Sequence, residues 1–464
     1  MHETESVTKS LLCVLSYFPP DATTGTHRSR AVARYLPLHG WRPVVVCPEL
    51  DAQASTDWAL LNHLPADMVI YRTPAPNVLS WSAKQRDRLK RLLGRQPTVN
   101  QTASTQSSHS ANGRSTGGWM DWASWWLQVP DMMIGWLPYG LSAARQAVRR
   151  HQCRAVYSSA PQWTTHLIAL LVSRRTGLPW VADFRDPWRS NPLRNIPHKT
   201  VDRYDAWLER KVVQQAHWVV CNTGPMRDDF VKRFPHFASK FVTVQNGFDP
   251  EDFAGLKPQR SAGPEKQVLT HAGCFYGKRR PQPIFQALRL LRDRAAGAMN
   301  ICLQLVGHPD YHGRNLNAIA ADYGVSDMVL VRGEVGHRDA LELMSGSDVQ
   351  VLVGFNGTGA DLQVPAKLFE YLGVGKPVLA LAPKQSAIAE VMAAIGPLGE
   401  LCDPDDPHQI ADAVLGMAAR RPGASACLAS NGNGRGKSPL AHFHRREQVG
   451  RLARLLDGTV CGPM

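Results

Sequence analysis

The sequence predicts an α/β protein with two doubly wound parallel-sheet domains. The first observation is length, since 464 residues are about three times a typical domain. The second is composition, because 44% hydrophobic and 20% charged residues are typical of globular chains with sizeable cores. The third is a recurring order of short apolar runs, turn-rich loops and helical patterns. These observations exclude a fibrous or wholly disordered chain.

The first domain is predicted to span residues 1–255. The apolar run at 11–16 is long enough for a buried strand and too short for a helix. A helical pattern over 27–39 and a second apolar run at 43–48 follow it. This order forms a βαβ unit, which builds parallel sheets. Further strands are predicted at 155–158, 179–182 and 218–221, and a further helix at 166–175.

The second domain is predicted to span residues 256–420, because the pattern restarts after a break at Asn246–Pro250 and a polar stretch. Its strands are predicted at 268–273, 301–307, 329–331, 349–353 and 377–381, with a helix at 283–291. Residues 421–464 are predicted to form a polar linker and a last helix from Arg445. Residues 95–118 are rich in small polar residues and lack apolar periodicity, which indicates a flexible insertion.

The net charge of +14 favours an anionic partner, namely nucleic acid, an acidic membrane surface or a phosphorylated substrate. No aromatic and basic RNA signature is present, so nucleic acid is not expected. The nine cysteines form no CxxC pair, which indicates reduced thiols rather than a zinc site. No signal peptide or spanning helix fits the sequence. We therefore expect a cytoplasmic protein, peripheral at most to the inner face of a membrane.

Tryptophans cluster between residues 119 and 126, and at helical spacing Trp119, Trp122 and Trp126 share one face. This face either packs on the first domain or dips into a membrane interface, where indole rings are favoured. The second alternative gains support from the basic residues between 86 and 95, whose charge would suit anionic lipid.

The most specific string is DLQVPAKLFEYLGVGKPVLA, which runs from Asp361 to Ala380. Pro365 is predicted to start a helix on which Lys367 and Glu370 share a face. The N-terminus of this helix, beside the glycine-rich loop 354–359, could hold a phosphate with help from the lysine. The glutamate could accept two ribose hydroxyls. The alternative is a solvated Lys–Glu pair of little consequence.

This string resembles the PxKxxEYLxxGxPV element of nucleotide-sugar-dependent glycosyltransferases of the GT-B fold, family 4 type (glycosyl transferases group 1). The resemblance covers residues 11–415 and implies two Rossmann-like doubly wound domains facing a central cleft. The C-terminal domain would bind the nucleotide sugar and the N-terminal domain the acceptor. Further landmarks in the family's order are Tyr17–Pro20, Gly25–Ser29, Pro130-Asp131 with Gly135-Trp136, Asp183–Trp188, Asn246–Asp249 and His271–Arg279.

The resemblance also implies the donor-binding residues. Gly25 would lie against the donor phosphates, although an ordinary turn would also explain it. Arg279 and Lys367 would clamp the diphosphate, where the alternative for the arginine is one exposed charge in a basic run. Glu370 would bind the ribose. Gly307 and the loop with Glu334 would hold the base, or have only a structural role. Asp361 would contact the donor sugar.

On the acceptor side, Asp183, Arg185 and Asp186 follow an apolar strand, which is where a doubly wound sheet places ligands. One carboxylate would orient or deprotonate the acceptor hydroxyl. The alternative is a buried Arg–Asp network that fixes the loop. No metal or other cofactor is expected, since helix dipoles and basic side chains usually carry the diphosphate in this family. Asp403–Asp406 is interpreted as a surface turn rather than a metal motif.

The resemblance implies a glycosyltransferase of polysaccharide biosynthesis that is metal-independent and retaining. Its substrates would be a nucleoside diphosphate sugar and a hydroxyl of a lipid-linked or polysaccharide acceptor. Two departures leave the donor sugar and the stereochemistry open. Leu362 stands where the family usually has the first glutamate of Glu-x7-Glu, and Ser158-Ser159 replace a histidine of many relatives. The alternative function is a non-catalytic nucleotide-sugar-binding protein with a GT-B cleft.

Overall fold

The computed structural model describes residues 9–50, 54–78, 119–192, 194–294, 300–419 and 439–461. These residues form two compact units, each with its own parallel sheet. The first unit comprises the described residues up to Asn222, then Met226–Val244, and those from Val449 onward. The second comprises Thr223–Pro225 and Gln245–Gln448. The predicted insertion at 95–118, the basic segment 86–95 and most of the linker after 420 lie outside the described residues.

The first unit has a seven-stranded sheet in the order β3-β2-β1-β4-β5-β6-β7, and every neighbouring pair is parallel. Its strands are β1 Lys9–Leu15, β2 Trp41–Pro48, β3 Val69–Thr73, β4 Ala155–Ser159, β5 Trp180–Phe184, β6 Trp218–Cys221 and β7 Phe241–Thr243. Its helices are α1 Thr26–Tyr35, α2 Trp119–Trp126, α3 Leu137–His151, α4 Thr164–Thr176, α5 Lys199–Gln215 and α6 Gly224–Arg233.

The second unit repeats this order, since its six-stranded parallel sheet runs β12-β9-β8-β13-β14-β15. Its strands are β8 Gln267–Ala272, β9 Ile301–Val306, β10 Asp310–Tyr311, β11 Arg314–Asn315, β12 Val329–Gly333, β13 Val349–Val353, β14 Val378–Leu381 and β15 Gly399–Cys402, of which β10 and β11 form a separate hairpin. Its helices are α7 Gln282–Arg294, α8 Leu316–Asp322, α9 His337–Ser345, α10 Ala366–Val374, α11 Ala387–Ile395 and α12 Pro407–Ala419. The predicted doubly wound α/β class is confirmed.

The last helix, α13 Arg445–Cys461, belongs to the first unit from Val449 onward. Its apolar residues Val449, Leu452 and Leu456 are part of the core of that unit. The Asp457 carboxylate also accepts hydrogen bonds from the Lys9 Nζ at 3.0 Å and the Trp41 Nε1 at 3.1 Å. The described residues of α13 from Val449 onward therefore complete the core of the unit that contains β1.

Two predicted helix boundaries are corrected. The helix predicted over 27–39 ends at Tyr35 and continues as a 3-10 turn, because Pro37 cannot donate the next helical hydrogen bond. Pro365 precedes α10 instead of starting it, since its ψ of 136° is extended. None of the helices in the described part of the chain is long and apolar enough to cross a membrane.

Candidate active site

The candidate site lies at the carboxyl edge of the second sheet, where β8 and β13 are neighbours and the strand order reverses. Doubly wound sheets bind ligands outside the carboxyl ends of their strands at such a point. Gly273 directly follows β8 and Gly354 directly follows β13. Two loops that each begin with a glycine therefore leave the sheet side by side.

Close backbone packing explains the glycine at position 307. A Cβ on Gly307 would lie 2.3 Å from the Gly273 carbonyl oxygen, and its φ of 145° disfavours any other residue. Its N–H donates to the Gly333 carbonyl at 2.9 Å, which ties the loops after β9 and β12 together. Glu334 follows in the second of these loops and is exposed. Both residues lie at the carboxyl edge, and their part in binding a base stays a prediction.

Helix α10 presents a cation and a carboxylate on one face. The Lys367 Nζ lies 3.1 Å from the Glu370 Oε2, and the two side chains are 38% and 14% exposed. The contact is ionic rather than a directed hydrogen bond, since Oε2 is buried without a hydrogen-bond donor among the residues that the structure describes. Leaving a buried acceptor unpaired costs free energy. The pair is therefore not the solvated surface pair of the alternative interpretation, and its carboxylate is suited to accept a ligand hydroxyl.

The structure distinguishes Arg279 from its basic neighbours. Its guanidinium is half-buried and stacks 4.8 Å from the centroid of the Tyr276 ring and 5.9 Å from that of Phe355. The next residue, Arg280, is exposed and forms an ion pair with Asp405. Aromatic rings on which a guanidinium stacks hold it in a defined orientation. Arg279 is thus more than one exposed charge in a run.

A small cavity lies beside this guanidinium, within the second unit. Part of its wall is formed by glycine and alanine. It is lined by Arg279, Gly354, Phe355, Gly359, Ala360, Gln363, Pro383 and Ile388. Asp361 belongs to the same loop and is half-buried, whereas Leu362 is only 7% exposed. The position where the family usually has a glutamate is therefore an apolar buried position here.

His271 lies in one of the predicted family landmarks, but sequence reasoning gave it no role at this edge. It is the second-last residue of β8 and is 6% exposed. Its Nδ1 lies 2.9 Å from the Val351 carbonyl oxygen, and its Nε2 has no hydrogen-bond partner within the described ranges. Burial, helped by the nearby charges of Lys367 and Arg279, lowers the pKa of the imidazole to about 4. A titratable residue at the carboxyl end of a predicted strand was the signal that could have identified it.

At the carboxyl edge of the first sheet, Asp183 is the centre of a buried network. Its fully buried carboxylate accepts hydrogen bonds from the Arg28 Nε at 2.7 Å, the Arg28 Nη2 at 2.9 Å, the Tyr157 hydroxyl and the Ser159 hydroxyl. Arg28 also donates to the Val244 carbonyl at 3.0 Å. These contacts match the structural alternative for Asp183, a network that fixes the loop. The serines at 158 and 159 are buried parts of this strand end.

Arg185 and Gly25 contact each other at this edge. The Arg185 Nη1 donates to the Gly25 carbonyl at 2.9 Å. Burial lowers the pKa of this guanidinium, and the neighbouring Asp186 partly opposes the shift. A Cβ on Gly25 would lie 2.4 Å from the Tyr17 ring, so close packing requires the glycine although its φ of −58° is ordinary. Asp186 is half-buried. The donor role of Gly25 and the catalytic roles of Arg185 and Asp186 stay predictions.

Other sequence landmarks have structural roles. The Trp188 Nε1 donates to both oxygens of Asp205, and the Asp131 carboxylate accepts from the Thr164 amide at 2.8 Å. A Cβ on Gly247 would lie 2.1 Å from the Phe443 carbonyl oxygen, so this loop packs directly on the segment before α13. The turn at Asp403–Asp406 is confirmed, since these carboxylates accept hydrogen bonds from nearby backbone amides.

The fold and the site define a class, the two-domain Rossmann-like transferases of the GT-B type. The family model Glycosyltransferase Family 4 matches residues 124–252, and Glycosyl transferases group 1 matches residues 266–420. The chain belongs to the GT-B glycosyltransferases of family 4, group 1 type, and the predicted family is confirmed.

Known proteins show the extent of the likeness. A D-inositol 3-phosphate glycosyltransferase of Streptomyces avermitilis is 26% identical over 183 residues, which are 37% of this chain and 38% of that protein. The match therefore spans well under two thirds of that relative. Sucrose-phosphate synthase from Thermosynechococcus elongatus has a TM-score of 0.60 at 14% identity, over 97% of this chain and 100% of that one. HepE from Anabaena, in complex with UDP, has a TM-score of 0.58 at 14% identity, with the same coverages. At these identities the solved structures show the GT-B fold alone.

Proposed function

We propose that this chain is a retaining, metal-independent glycosyltransferase of polysaccharide biosynthesis. It moves a sugar from a nucleoside diphosphate sugar to a hydroxyl of a lipid-linked or polysaccharide acceptor. The observation that carries the proposal is the face of α10, where Lys367 and Glu370 lie side by side in the unit that also holds the small cavity at Arg279. The diphosphate of a nucleoside diphosphate is an anion that Lys367 can bind, and the ribose hydroxyls can donate hydrogen bonds to Glu370. Membership of the family supports this interpretation.

In this proposal, Arg279 and Lys367 balance the negative charge of the diphosphate, which grows as the diphosphate leaves. These two cations do the work for which other transferases use a metal ion. Glu370 accepts hydrogen bonds from the ribose hydroxyls through its buried oxygen. Gly307 and Glu334 border the base, and Asp361 the donor sugar.

On the acceptor side we propose Asp186 as the carboxylate that orients or deprotonates the acceptor hydroxyl, with Arg185 beside it. Asp183 is fully buried and protein donors already bind both of its oxygens, so little of its carboxylate is left for a substrate. It acts as a positioning residue that holds the loop after β5.

Thermal unfolding with UDP, GDP, ADP and their sugars tests the donor site, with EDTA present throughout. A ligand at about 100 times its dissociation constant adds roughly 2.7 kcal/mol to the free energy of unfolding. We expect one base to stabilise the wild type, and Glu370→Ala and Arg279→Ala to lose that response while staying folded. Arg280→Ala is the matched control, because this arginine pairs with Asp405 away from the cavity. Equal stabilisation of all four proteins would contradict the site.

Turnover then separates the enzyme from the non-catalytic alternative. The wild type is incubated with the stabilising nucleotide sugar and membrane extracts as the source of acceptor, and release of the nucleoside diphosphate is followed. Nucleotide binding without turnover on any acceptor would favour the binding protein, an outcome for which Leu362 offers a reason.

We also propose that the first unit works at the cytoplasmic face of a membrane through α2 and α5. The Trp126 ring packs 5.2 Å from that of Tyr204, which in turn stacks 5.6 Å from Trp207. The tryptophan segment therefore packs on the first unit, as one alternative expected. An aromatic surface nevertheless stays exposed, since Trp122 and Trp207 are 45% and 48% exposed.

Charge is segregated on α5 in a way that suits anionic lipid. Two of its three acidic residues, Asp205 and Glu209, are buried and form ion pairs with Arg194 and Arg233, each at 2.6 Å. The third, Asp202, is paired with Arg189 at 2.6 Å. Its basic side chains Lys199, Arg203 and Arg210 are exposed beside the aromatic rings. Aromatic rings with cations around them are typical of interfacial helices, and each cation contributes about 1 kcal/mol near an anionic surface.

Co-sedimentation with phosphatidylglycerol vesicles tests this surface. We expect the double variant Trp122→Ala/Trp207→Ala and the double variant Arg203→Glu/Arg210→Glu to bind less than the wild type. Trp58→Ala is the control, since Trp58 is 67% exposed and lies outside α2 and α5. Undiminished binding by both double variants would contradict the membrane proposal.

A further inference from the structure

The proposed donor site contains a buried polar atom to which the proposal gives no role, the Nε2 of His271. This atom has no hydrogen-bond partner among the described residues. A Cβ on Gly273 would lie 3.5 Å from it, so Nε2 faces a position where the chain has no side chain. The ring itself is packed against Phe275, with 4.7 Å between the ring centroids. The imidazole is thus held in place with one nitrogen directed to the loop that leaves β8.

The hydrogen bond of the other nitrogen determines the tautomer. The Val351 carbonyl can only accept, so the His271 Nδ1 at 2.9 Å must carry a proton and donate it. The Tyr371 hydroxyl donates to the same carbonyl at 3.2 Å and accepts from the Ala272 amide at 2.9 Å. A neutral imidazole has one N–H, and therefore Nε2 carries a lone pair.

Burial and the charges around the ring keep it neutral. Burial is the main cause that lowers the pKa of His271 to about 4, and the nearby cations of Lys367 and Arg279 act in the same direction. At neutral pH the residue can therefore offer an acceptor and not a second cation. A lone pair is repelled by phosphate oxygens and attracted by a hydroxyl.

We propose that the His271 Nε2 accepts a hydrogen bond from a hydroxyl of the bound nucleoside diphosphate sugar and so selects ligands that have it. The inference rests on the proposed function and deepens it. The hydroxyl belongs to the ribose or to the transferred sugar. A site with a buried acceptor discriminates strongly against analogues that leave this acceptor unpaired.

The test uses the full chain and His271→Asn. The asparagine amide reaches the position of Nδ1, so it keeps the bond to Val351 and removes only the Nε2 acceptor. We measure the dissociation constants of UDP and UDP-glucose by calorimetry near neutral pH. We expect His271→Asn to bind UDP-glucose roughly three- to tenfold more weakly than the wild type. An equal loss for UDP would place the hydroxyl on the ribose, and a loss for UDP-glucose alone would place it on the sugar.

A spectroscopic measurement separates this role from a structural one. With ¹⁵N-labelled histidine, Nε2 of His271 is expected to be unprotonated in the free protein and to change its resonance when UDP-glucose binds. His408→Asn, at an exposed site on α12, serves as the control and is expected to bind like the wild type. Unchanged UDP-glucose affinity in a folded His271→Asn, or a protonated Nε2, would overturn the inference alone. A wild type that binds no nucleoside diphosphate sugar would overturn the proposed function and the inference together.

Discussion

The two sheets have the same strand order, yet the buried carboxylates at their carboxyl edges differ in how they are paired. In the first unit, both oxygens of Asp183 are bound by Arg28, and the neighbouring hydroxyls add to them. In the second, the Glu370 Oε2 is buried without a hydrogen bond to any described residue. One topology can therefore serve as a scaffold or as a ligand site, depending on whether the protein itself supplies the hydrogen bonds to its buried carboxylate.

The comparison predicts its largest effect at Asp183. Asp183→Asn keeps the shape of the side chain but replaces the charged carboxylate by a neutral amide, whose NH2 group then faces the Arg28 guanidinium. Loss of one partner of a buried ion pair costs about 3–5 kcal/mol, because the other charge stays buried. Urea unfolding followed by tryptophan fluorescence measures the loss.

The control for this substitution is Asp412→Asn, which removes an exposed pair with Arg294. Surface pairs are worth about 0–1 kcal/mol, so little change is expected. Similar losses in both variants would show that the first edge is not the scaffold described above.

Stability at low pH depends on a property that the two edges share, namely a buried neutral histidine. Burial lowers the pKa of His166 in the first unit to about 3 and that of His271 to about 4, against about 6.5 in the unfolded chain. The folded state thus binds fewer protons, and the free energy of unfolding falls as the pH drops below about 6.5. At about pH 4 the protonation of each histidine has lowered the free energy of unfolding by roughly 3 kcal/mol.

Urea unfolding from about pH 7 down to about pH 4 checks this sign. The curves of His166→Asn and His271→Asn are expected to be flatter than that of the wild type. A variant whose stability falls with pH as steeply as that of the wild type would refute the assignment for that histidine.

Much of the fold could be predicted because buried parallel strands appear in the sequence as short continuous apolar runs. The runs at β1, β9 and β13 are examples, and each is predicted close to its observed bounds. The edge strand β3, Val69–Thr73, was missed because it is half-exposed and mixes polar with apolar residues. The strand β7 was missed because it has only three residues.

The site was predictable where one local segment carries it. Lys367 and Glu370 lie on one helix, so their spacing alone places them on one face. Asp183 and His271 could not be assigned in this way. The first depends on Arg28, which is 155 residues away in the chain, and the tautomer of the second on Val351, which is 80 residues away. Such contacts are properties of the tertiary fold.

A smaller effect is expected where the second edge is built from backbone. Gly307→Ala would bring a Cβ to 2.3 Å from the Gly273 carbonyl, at a φ that disfavours alanine. The backbone shift that relieves such a clash typically lowers the free energy of unfolding by about 1–3 kcal/mol. This shift would displace the loops of the donor site. The temperature of thermal unfolding and the affinity for the donor should therefore both fall.

The control for this glycine is Gly416→Ala on α12, where nothing lies within 4 Å of the new Cβ. Alanine in a helix interior is favoured by roughly 0.5–1 kcal/mol, so this variant should gain stability. If Gly307→Ala also gained stability, close packing would not be the reason for the glycine.

The smallest effect concerns the hydroxyl that joins β8 to α10. Tyr371→Phe leaves the buried Ala272 amide without its acceptor, which costs about 1–3 kcal/mol, toward the lower end because the ring still packs. His271 keeps its own bond to Val351, so the affinity for a nucleoside diphosphate should change little. Tyr311→Phe is the matched control, since that hydroxyl donates to the Gly277 carbonyl, which lies in an exposed turn and can pair with water instead. A large loss of donor affinity in Tyr371→Phe would mean that the tyrosine hydroxyl, and not the Val351 carbonyl alone, orients the imidazole, and the second edge would then depend on a protein network much as the first one does.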